Sequence, residues 1–431
     1  MSMAIRNNIT ALRSYNVMSA NQTKAQKSLT KVATGEKINS AQDDSAAYSI
    51  SERMRNRIRS LEQAHKNTQN GHSMILTASQ AVDTITETLR SLKEKAINAA
   101  NDANTDEDRK TLQKEVDQLI DQIDDTALVT FNGKYLIDNT KNNASVATKT
   151  ILLNQGLDKA TALADNLSDL KNRVGDLLGI TTDDKYQVSW VVDGQTSTST
   201  GSANTTLQSL LTTPGVLTAA EVAADASAGT DKYNLDVYTP DKTEGITLTA
   251  NTAGVKDQIA GFTVSITDPE GNVRSTANAA LNQFRELQRG EIQTADLSLN
   301  FQVGAEANVA TKIALTDMRA AALGLRGSDN RTLSVSTKDD ANAAINVIDN
   351  AIKKVADQQA ALGALVARLD YTAENLTTAF TNDRASESGM RDADMAREIT
   401  NYTLDNIRVQ SSQAMLAHAN QQPEDVLGLL R

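Results

Sequence analysis

Residues 45–100 read SAAYSISERMRNRIRSLEQAHKNTQNGHSMILTASQAVDTITETLRSLKEKAINAA, and this stretch decides the fold of the chain. Its apolar residues recur in steps of three and four, and His65 and Thr68 continue that register through the less apolar middle. The spacing predicts one stripe along a single α-helix, roughly 80 Å long at 1.5 Å per residue. Such a helix needs an equally long partner to cover its stripe. The stripe consists of Met54, Ile58, Leu61, Ile75, Ala78, Val82, Ile85, Leu89, Leu92, Ala96 and Ala99.

The partner lies near the other end of the sequence, where a second stripe has the same period. Ser336 and Asp339 form a capping-box pattern ahead of it, and Thr105 and Asp108 form another ahead of a shorter helix that ends near Ala127. The two stretches together predict a mainly α fold with a long antiparallel coiled-coil or helical-bundle core, in which the chain folds back on itself. The second stripe consists of Ile345, Ile348, Ile352, Val355, Leu362, Val366, Leu369, Ala373, Leu376 and Phe380.

Each end of the sequence contributes a further amphipathic helix, and a short Gly-, Ser- and Asp-rich link separates each from the long pair. Two such helices alone would form a thin and marginally stable hairpin. We therefore favour the hypothesis that other copies of the chain complete their apolar faces, over the alternative that both fold onto the rest of the same chain. The predicted subunit-interface residues are Ile5, Ile9, Leu12, Met18, Leu29, Met395, Ile399, Tyr402, Val409, Leu416, Leu427 and Leu430.

The middle of the sequence has a different pattern. Alternating stretches at 186–192, 233–238 and 261–267 predict strands, and three of the four prolines lie nearby. We expect an inserted β-rich domain at residues 183–278, which includes a low-complexity Ser/Thr run from Thr196 to Thr206. Before it, the sequence FNGKYL at 131–136 predicts a short β-hairpin around an Asn-Gly turn, and residues 157–178 have a helical pattern.

Composition and motifs argue against several classes of function. The net charge of −11 disfavours binding to nucleic acids and anionic membranes, and no apolar run is long enough to span a bilayer. Cysteine is absent, and the three histidines have no evident third ligand, so no metal site is predicted. No nucleotide-binding or hydrolase motif occurs, so we predict neither a cofactor nor an enzyme. The opening MSMAIRNNIT lacks the apolar core of a secretory signal.

Both ends of the sequence resemble the bacterial flagellins. The N-terminal motifs are AIRNNITAL at 4–12, TGEKINSAQDDSAAYSISERM at 34–54 and FNGKYL at 131–136. The C-terminal motifs include MRDADMA at 390–396 and QAMLAHANQQP at 413–423. Several separate motifs occur in the family's order, over about residues 1–138 and 297–431. Ala47 stands where the family pattern usually has Gly, which is a small departure.

The resemblance implies a structural subunit that polymerises into the helical flagellar filament for motility. Residues 1–43 and 390–431 would form the inner layer, 44–182 and 279–389 the next helical shell, and 183–278 a surface-exposed domain. The expected partners are other copies of the chain, a flagellar export chaperone, the type III export apparatus, the filament cap and the hook–filament junction proteins. The expected location is the extracellular filament. The alternative is a hook–filament junction protein, although that family matches these motifs less fully.

The resemblance also implies a contact with a host Toll-like receptor. The segment that many flagellins present commonly reads R-x-R-E-L-A-x-Q, and the matching stretch here is SLKEKAIN at 91–98. Ser91 replaces an Arg that could make charge-assisted contacts, and Lys95 replaces an apolar Leu. Glu94 matches the Glu of that segment, and Glu115 on the next helix remains as an acidic partner. We therefore expect weak sensing by the receptor.

Overall fold

A computed structural model of the chain describes residues 8–212, 215, 217–223, 226–256 and 258–429, with Asp241 and residues 423–429 described through their backbone only. The helices are α1 (Ile9–Thr34), α2 (Ser45–Ala99), α3 (Asp106–Ala127), α4 (Leu207–Thr212), α5 (Ser275–Leu281), α6 (Lys338–Arg391) and α7 (Met395–Leu429). No helix in the described ranges is long and apolar enough to cross a membrane.

The strands lie between α3 and α6. They are β1 (Thr130–Phe131), β2 (Lys134–Tyr135), β3 (Ile151–Asn154), β4 (Lys185–Val192), β5 (Gln195–Ser202), β6 (Leu217–Val222), β7 (Ser227–Thr230), β8 (Asp236–Tyr238), β9 (Gly245–Ala250), β10 (Ile259–Thr267), β11 (Phe284–Gln288), β12 (Leu299–Gln302) and β13 (Ala310–Ile313). The two larger sheets have the strand orders β10-β4-β5 and β11-β3-β9-β6.

The chain divides into two compact units, one of residues 1–68, 302–309 and 371–431 and the other of 69–301 and 310–370. Within the second unit, α2 and α6 run antiparallel. Lys93 contacts Asp349 at 2.6 Å, and His72 contacts Asp370 at 3.3 Å. Moving back 21 residues along α2 thus corresponds to moving forward 21 along α6. The antiparallel helical core predicted from the two stripes is confirmed.

The first unit contains the other halves of the same two helices. Leu61 and Ala64 of α2 form a buried cluster with Leu376 of α6. Ion pairs flank this cluster, including one between Arg57 and Asp383 at 2.9 Å. The seam residues predicted in this half are therefore also covered by a partner helix.

Two local turn predictions are confirmed, and one helix start is shifted. Asn132 and Gly133 both have positive φ between β1 and β2, as a two-residue hairpin of this twist requires. Thr105 forms a capping box at the start of α3. In contrast, α6 begins one residue later than the Ser336 pattern suggested, because the Thr337 hydroxyl accepts from the backbone N–H of Asp340.

The prediction of a helix over residues 157–178 is wrong. This segment forms turns with one short 3₁₀ turn at Leu167–Asp169. Asn172 accepts hydrogen bonds from the backbone N–H groups of Val174 and Asp176, and Gly175 has a φ of 102°. Such local bonds compete with a helix. The leucines with helical spacing instead enter the core of the sheet region.

The β-rich region extends beyond the expected boundaries of 183 and 278. Strand β3 pairs with β9 on one side and with β11 on the other, so residues 151–154 and 284–288 belong to the same sheet as β9. All four residues of β3 are buried, and separating this strand from the insert would expose them. The expected strands at 186–192 and 261–267 correspond to β4 and β10, whereas only Asp236–Tyr238 of the third is a strand.

Candidate assembly surface

Helices α1 and α7 of the first unit pack against each other along a seam whose fully buried residues are small or polar, with larger apolar residues half-buried between them. The less exposed side chains of each helix recur in alternating steps of three and four, which is the pattern of a coiled coil. Ala25, Ser28 and Ala419 are buried in this seam. The seam residues are Ala11, Ser14, Met18, Asn21, Ala25, Ser28 and Val32 on α1, and Glu398, Tyr402, Asp405, Val409, Ser412, Leu416 and Ala419 on α7.

Side-chain hydrogen bonds fix the antiparallel alignment of the two helices. Asn21 Nδ2 donates to Ser412 Oγ at 2.8 Å, and Ser28 Oγ donates to Asp405 Oδ2 at 3.3 Å. Asn8 both caps the N-terminus of α1 and donates to the carbonyl of Ala419 at 2.8 Å. These bonds specify the register but bury little apolar surface.

Large apolar side chains lie on the outward faces of the same two helices. Their exposed fractions range from 38% for Met395 to 60% for Leu12. A helix pair that buries alanine and serine while exposing leucine and isoleucine leaves most of its apolar surface available for another partner. The exposed residues are Ile9, Leu12, Tyr15, Val17, Leu29, Met395, Ile399, Leu404, Ile407 and Met415.

The structure divides the predicted interface residues into two sets. Met18, Tyr402, Val409 and Leu416 lie half-buried on the seam within one chain. Ile9, Leu12, Leu29, Met395 and Ile399 lie on the exposed faces. Ile5 and Leu430 are outside the described residues, and Leu427 lies in α7 with its side chain undescribed.

Sequence reasoning therefore missed a partner for α1, which is α7 of the same chain. It also missed four exposed apolar residues, namely Val17, Leu404, Ile407 and Met415. Leu404, Ile407 and Met415 share one face of α7, so a second apolar stripe on that helix is the signal that could have found them, whereas Val17 belongs to no such stripe.

A cluster of ion pairs holds the junction between the terminal helices and the long helices of the first unit. Gly35 ends α1 with a φ of 73°, and its carbonyl accepts from the backbone N–H of Ala393 at 2.8 Å. The buried Arg391 at the end of α6 donates to Glu36 at 2.9 Å and to Glu52 at 2.6 Å. Its guanidinium also lies 5.4 Å from the ring centroid of Tyr48.

Arg55 completes this junction cluster, which consists of Glu36, Glu52, Arg55, Glu387 and Arg391. It binds Glu36 and donates to Glu387 at 2.8 Å. Burial by itself would raise the pKa of Glu36, but the hydrogen bonds and positive charges of Arg55 and Arg391 outweigh burial and lower that pKa. Glu36 therefore stays ionised between two arginines, and the link between α1 and α2 is fixed to the break between α6 and α7.

The residues predicted to contact a host receptor lie on α2 and α3 of the second unit. Ser91 and Glu94 are exposed on α2. Lys95 pairs with Glu115 of α3 at 2.5 Å. The acidic residue expected to meet a receptor is thus already bound to a lysine of its own chain.

The described residues include no group of three or more His, Cys, Asp or Glu side chains that could hold a metal ion. His72 instead contacts Asp370. A cavity of about 510 Å³ lies in the second unit and has the buried Lys354 in its wall. Its lining mixes lysine and arginine with glutamate and aspartate, without a nucleophile–base pair among the residues described there.

Comparisons with known proteins identify the family. The bacterial flagellin N-terminal helical region matches residues 5–142, and the bacterial flagellin C-terminal helical region matches residues 345–430. A flagellin of Clostridium tyrobutyricum is 32% identical over 433 residues, which cover 98% of this chain and 100% of that protein. A flagellin of Bacillus subtilis is 28% identical, and the flagellar filament 33 kDa core protein of Treponema phagedenis is 26% identical, each with both chains fully covered.

Among solved structures, the flagellar hook associated protein-3 of Legionella pneumophila is 13% identical with a TM-score of 0.35, and the match covers 79% of this chain and 98% of that one. The two terminal family regions and the full-length relatives lead to one conclusion: the chain belongs to the bacterial flagellins, the structural subunits of the flagellar filament.

Proposed function

We propose that the exposed apolar faces of α1 and α7 form the contacts between copies of this chain in the filament. The observation that carries the proposal is that the fully buried residues of this helix pair are small or polar, whereas ten large apolar residues lie exposed on its outward faces. Fully burying one Leu or Ile side chain stabilises an interface by about 1.5–3 kcal/mol. Six of the ten exposed residues are Leu or Ile, so burying these faces supplies more than the hydrogen bonds of the seam.

The same contrast supports the layered arrangement of the subunit. Residues 1–43 and 390–431 form the inner layer, because their helices have the largest exposed apolar faces. The long helices at 44–127 and 338–389 form the surrounding shell. The β-rich region between them faces outward, with its start moved from residue 183 to about 151 and its end from 278 to about 288.

Assembly measurements test the helix faces. Leu12→Ser with Ile399→Ser removes one large apolar group from each exposed face, and we expect the critical concentration for polymerisation to rise about tenfold or more. Lys27→Ser on the exposed surface of α1 is the matched control and should assemble like the parent. Circular dichroism of the monomers checks that α1 and α7 still form. Assembly of the double variant at the parent's critical concentration would contradict the proposal.

The remaining partners follow from the role of the chain as a filament subunit. The export chaperone binds the apolar C-terminal end that contains Leu427 and Leu430, the type III apparatus exports the chain, and the cap and junction proteins contact its terminal layer. The chain then lies in the extracellular filament and has no catalytic activity.

Deletion of residues 426–431 should impair polymerisation while leaving the melting temperature of the remaining fold unchanged. Normal assembly of that deletion would argue against a role for Leu427 and Leu430.

Sensing by a host Toll-like receptor is weak in this proposal. The exposed Ser91 has no charge to offer, and Glu115 is paired with Lys95. A receptor that uses this surface would have to separate that ion pair and desolvate the ammonium group, which is costly.

A further inference from the structure

The two edges of the three-stranded sheet β10-β4-β5 differ sharply. Asparagine side chains cover the outer edge of β10. Asn282, directly after α5, accepts from the backbone N–H of Val264 at 2.6 Å and donates to its carbonyl at 2.7 Å. Asn278 bonds Ile266 in the same two-sided way, at 2.7 and 3.4 Å. These side-chain amides make the hydrogen bonds to β10 that a neighbouring strand would otherwise make.

Helix α6 continues this cover along the same edge of β10. Asn346 and Asn350 donate to the carbonyls of Phe262 and Ala260, at 3.3 and 2.9 Å. Four asparagines, on α5, directly after α5 and on α6, therefore bond six backbone groups of this edge. A buried edge needs such partners, because unpaired backbone groups are costly.

The other edge of the sheet, on β5, has no comparable cover. Val192 and Gln195 pair across the two-residue turn between β4 and β5, and the register continues without a bulge. In an antiparallel ladder the backbone groups of alternate residues point outward. Those residues are Thr196, Thr198, Thr200 and Ser202. Within the described ranges, no backbone or side-chain group hydrogen-bonds to this edge from outside the hairpin.

Strand β5 also lacks the devices that usually protect an edge. Its sequence, QTSTSTGS, contains no charged residue and no proline. Thr198, Thr200 and Ser202 are exposed. An exposed strand of eight residues without these features is a ready template for another strand.

We propose that β5 pairs edge to edge with β5 of a second copy of this chain, so that two three-stranded sheets become one antiparallel six-stranded sheet. Identical chains are the natural occupants, because a filament holds many copies at high effective concentration. The edge is neutral, so two copies meet without like-charge repulsion although each chain has a net charge of −11. Opposed threonines also form favourable cross-strand pairs.

Only one register pairs all four outward residues of β5 with those of the second copy. Pairing all four outward residues places Thr198 opposite Thr200 of the second copy and Thr196 opposite Ser202. Ser199 then lies on the two-fold axis, opposite its own counterpart. Such a contact is self-complementary and joins copies in pairs. It is separate from the faces of α1 and α7 that build the filament.

Disulfide trapping tests this register directly, because the chain contains no cysteine. Cysteines opposite each other in a non-hydrogen-bonded pair have Cα atoms about 4.5 Å apart, which a disulfide can bridge. Filaments of Ser199→Cys should therefore give mostly covalent dimers under mild oxidation. Thr276→Cys, on the exposed surface of α5, is the matched control and should give few. Equal dimer yields from the two variants would overturn the proposal.

A second variant separates pairing from random collision. Thr198→Lys in the Ser199→Cys background places lysines of two copies near each other, and the dimer yield should fall at least fivefold. Thr276→Lys in the same background should leave the yield unchanged. The fluorescence of Trp190, which pairs with Ser197 across the hairpin, checks that the sheet still folds. An unchanged dimer yield with Thr198→Lys and native fluorescence would also overturn the proposal.

Discussion

Arg391 Nε donates to Glu36 Oε2 at 2.9 Å, although 355 positions of sequence separate the two residues. The carboxylate belongs to the link that follows α1, and the guanidinium ends α6. The bond therefore joins the two places where the chain passes between a terminal helix and a long helix. Arg391 is buried, so this connection is shielded from solvent.

Removing this guanidinium should loosen the junction. Arg391→Ala leaves Glu36 with Arg55 alone and removes the 2.6 Å partner of Glu52, and losing one partner of a hydrogen-bonded group at a buried site costs about 1–3 kcal/mol. We expect a lower melting temperature of the monomer and a higher critical concentration for assembly. Arg57→Ala, which breaks a largely exposed pair with Asp383, should cost about 0–1 kcal/mol. Equal effects of the two variants in calorimetry would refute a special role for the junction cluster.

Lys354 should make stability depend on alkaline pH. Its Nζ donates to the carbonyl of Ala322 at 2.8 Å, and burial, with the nearby positive charge of Arg289, lowers the pKa of Lys354 to about 8. Between this value and the ordinary pKa of about 10.4, the unfolded chain holds a proton that the folded chain has lost. Stability should therefore rise with pH in this window, by roughly 3 kcal/mol in total.

Denaturant titrations of the parent and of two lysine variants measure this effect. Lys354→Met should remove the rise, whereas Lys353→Met, at the exposed neighbouring position, should keep it. The difference between the two variants isolates Lys354 from other groups that titrate in the same range. A parent and a Lys354→Met variant with the same pH dependence would show that this lysine keeps its ordinary pKa.

Leu369 should be a core residue of the second unit. It is fully buried on α6, at a position that the sequence stripe predicted. Leu369→Ala should destabilise the monomer by about 2–5 kcal/mol, through lost burial and the cavity that remains. Leu76→Ala on the exposed side of α2 should cost less than about 1 kcal/mol. A cost for Leu369→Ala as small as that of Leu76→Ala would place Leu369 outside the packed seam.

The β-rich region should be dispensable for polymerisation only when it is removed at the right boundary. Ser145 and Thr294 exchange two backbone hydrogen bonds at 3.1 Å, so a Gly-Asn turn can replace residues 146–293. We expect this variant to be soluble and to form filaments. Replacing 183–278 instead removes β9 and leaves the buried strand β3 without that partner, so the product should aggregate. Light scattering compares the two, and the reverse outcome would favour the boundary at 183.

Receptor signalling should increase when two side chains on α2 are changed. Ser91→Arg with Lys95→Leu adds a bidentate donor, replaces an ammonium with an apolar group and frees Glu115. If both positions act as hot spots, each change is worth about 2 kcal/mol, or about 30-fold in potency. Lys110→Leu on α3 is the control for a surface Lys→Leu change. A parent that already signals at full potency, with no gain in the double variant, would refute the role of these positions.

Local sequence patterns were sufficient to predict the long antiparallel core, the capping box at Thr105 and the Asn132-Gly133 turn. Helix periodicity and turn chemistry are properties of neighbouring residues, so they can be recognised without knowledge of distant contacts. The match of two stripes in period and length then indicated which helices pair. Flagellin-like motifs at both ends identified the family for the same reason, since each motif is a local pattern.

Which face of each terminal helix is covered depends on contacts between residues that are far apart in the sequence. The sequence of α1 allows two stripes, and the partner helix selected the smaller and more polar one, with Ser28 opposite Asp405. Tertiary contacts also drew the leucines of 157–178 into the sheet core and brought Arg391 to Glu36. Burial and ion pairing depend on residues far apart in the chain, which helical periodicity cannot specify.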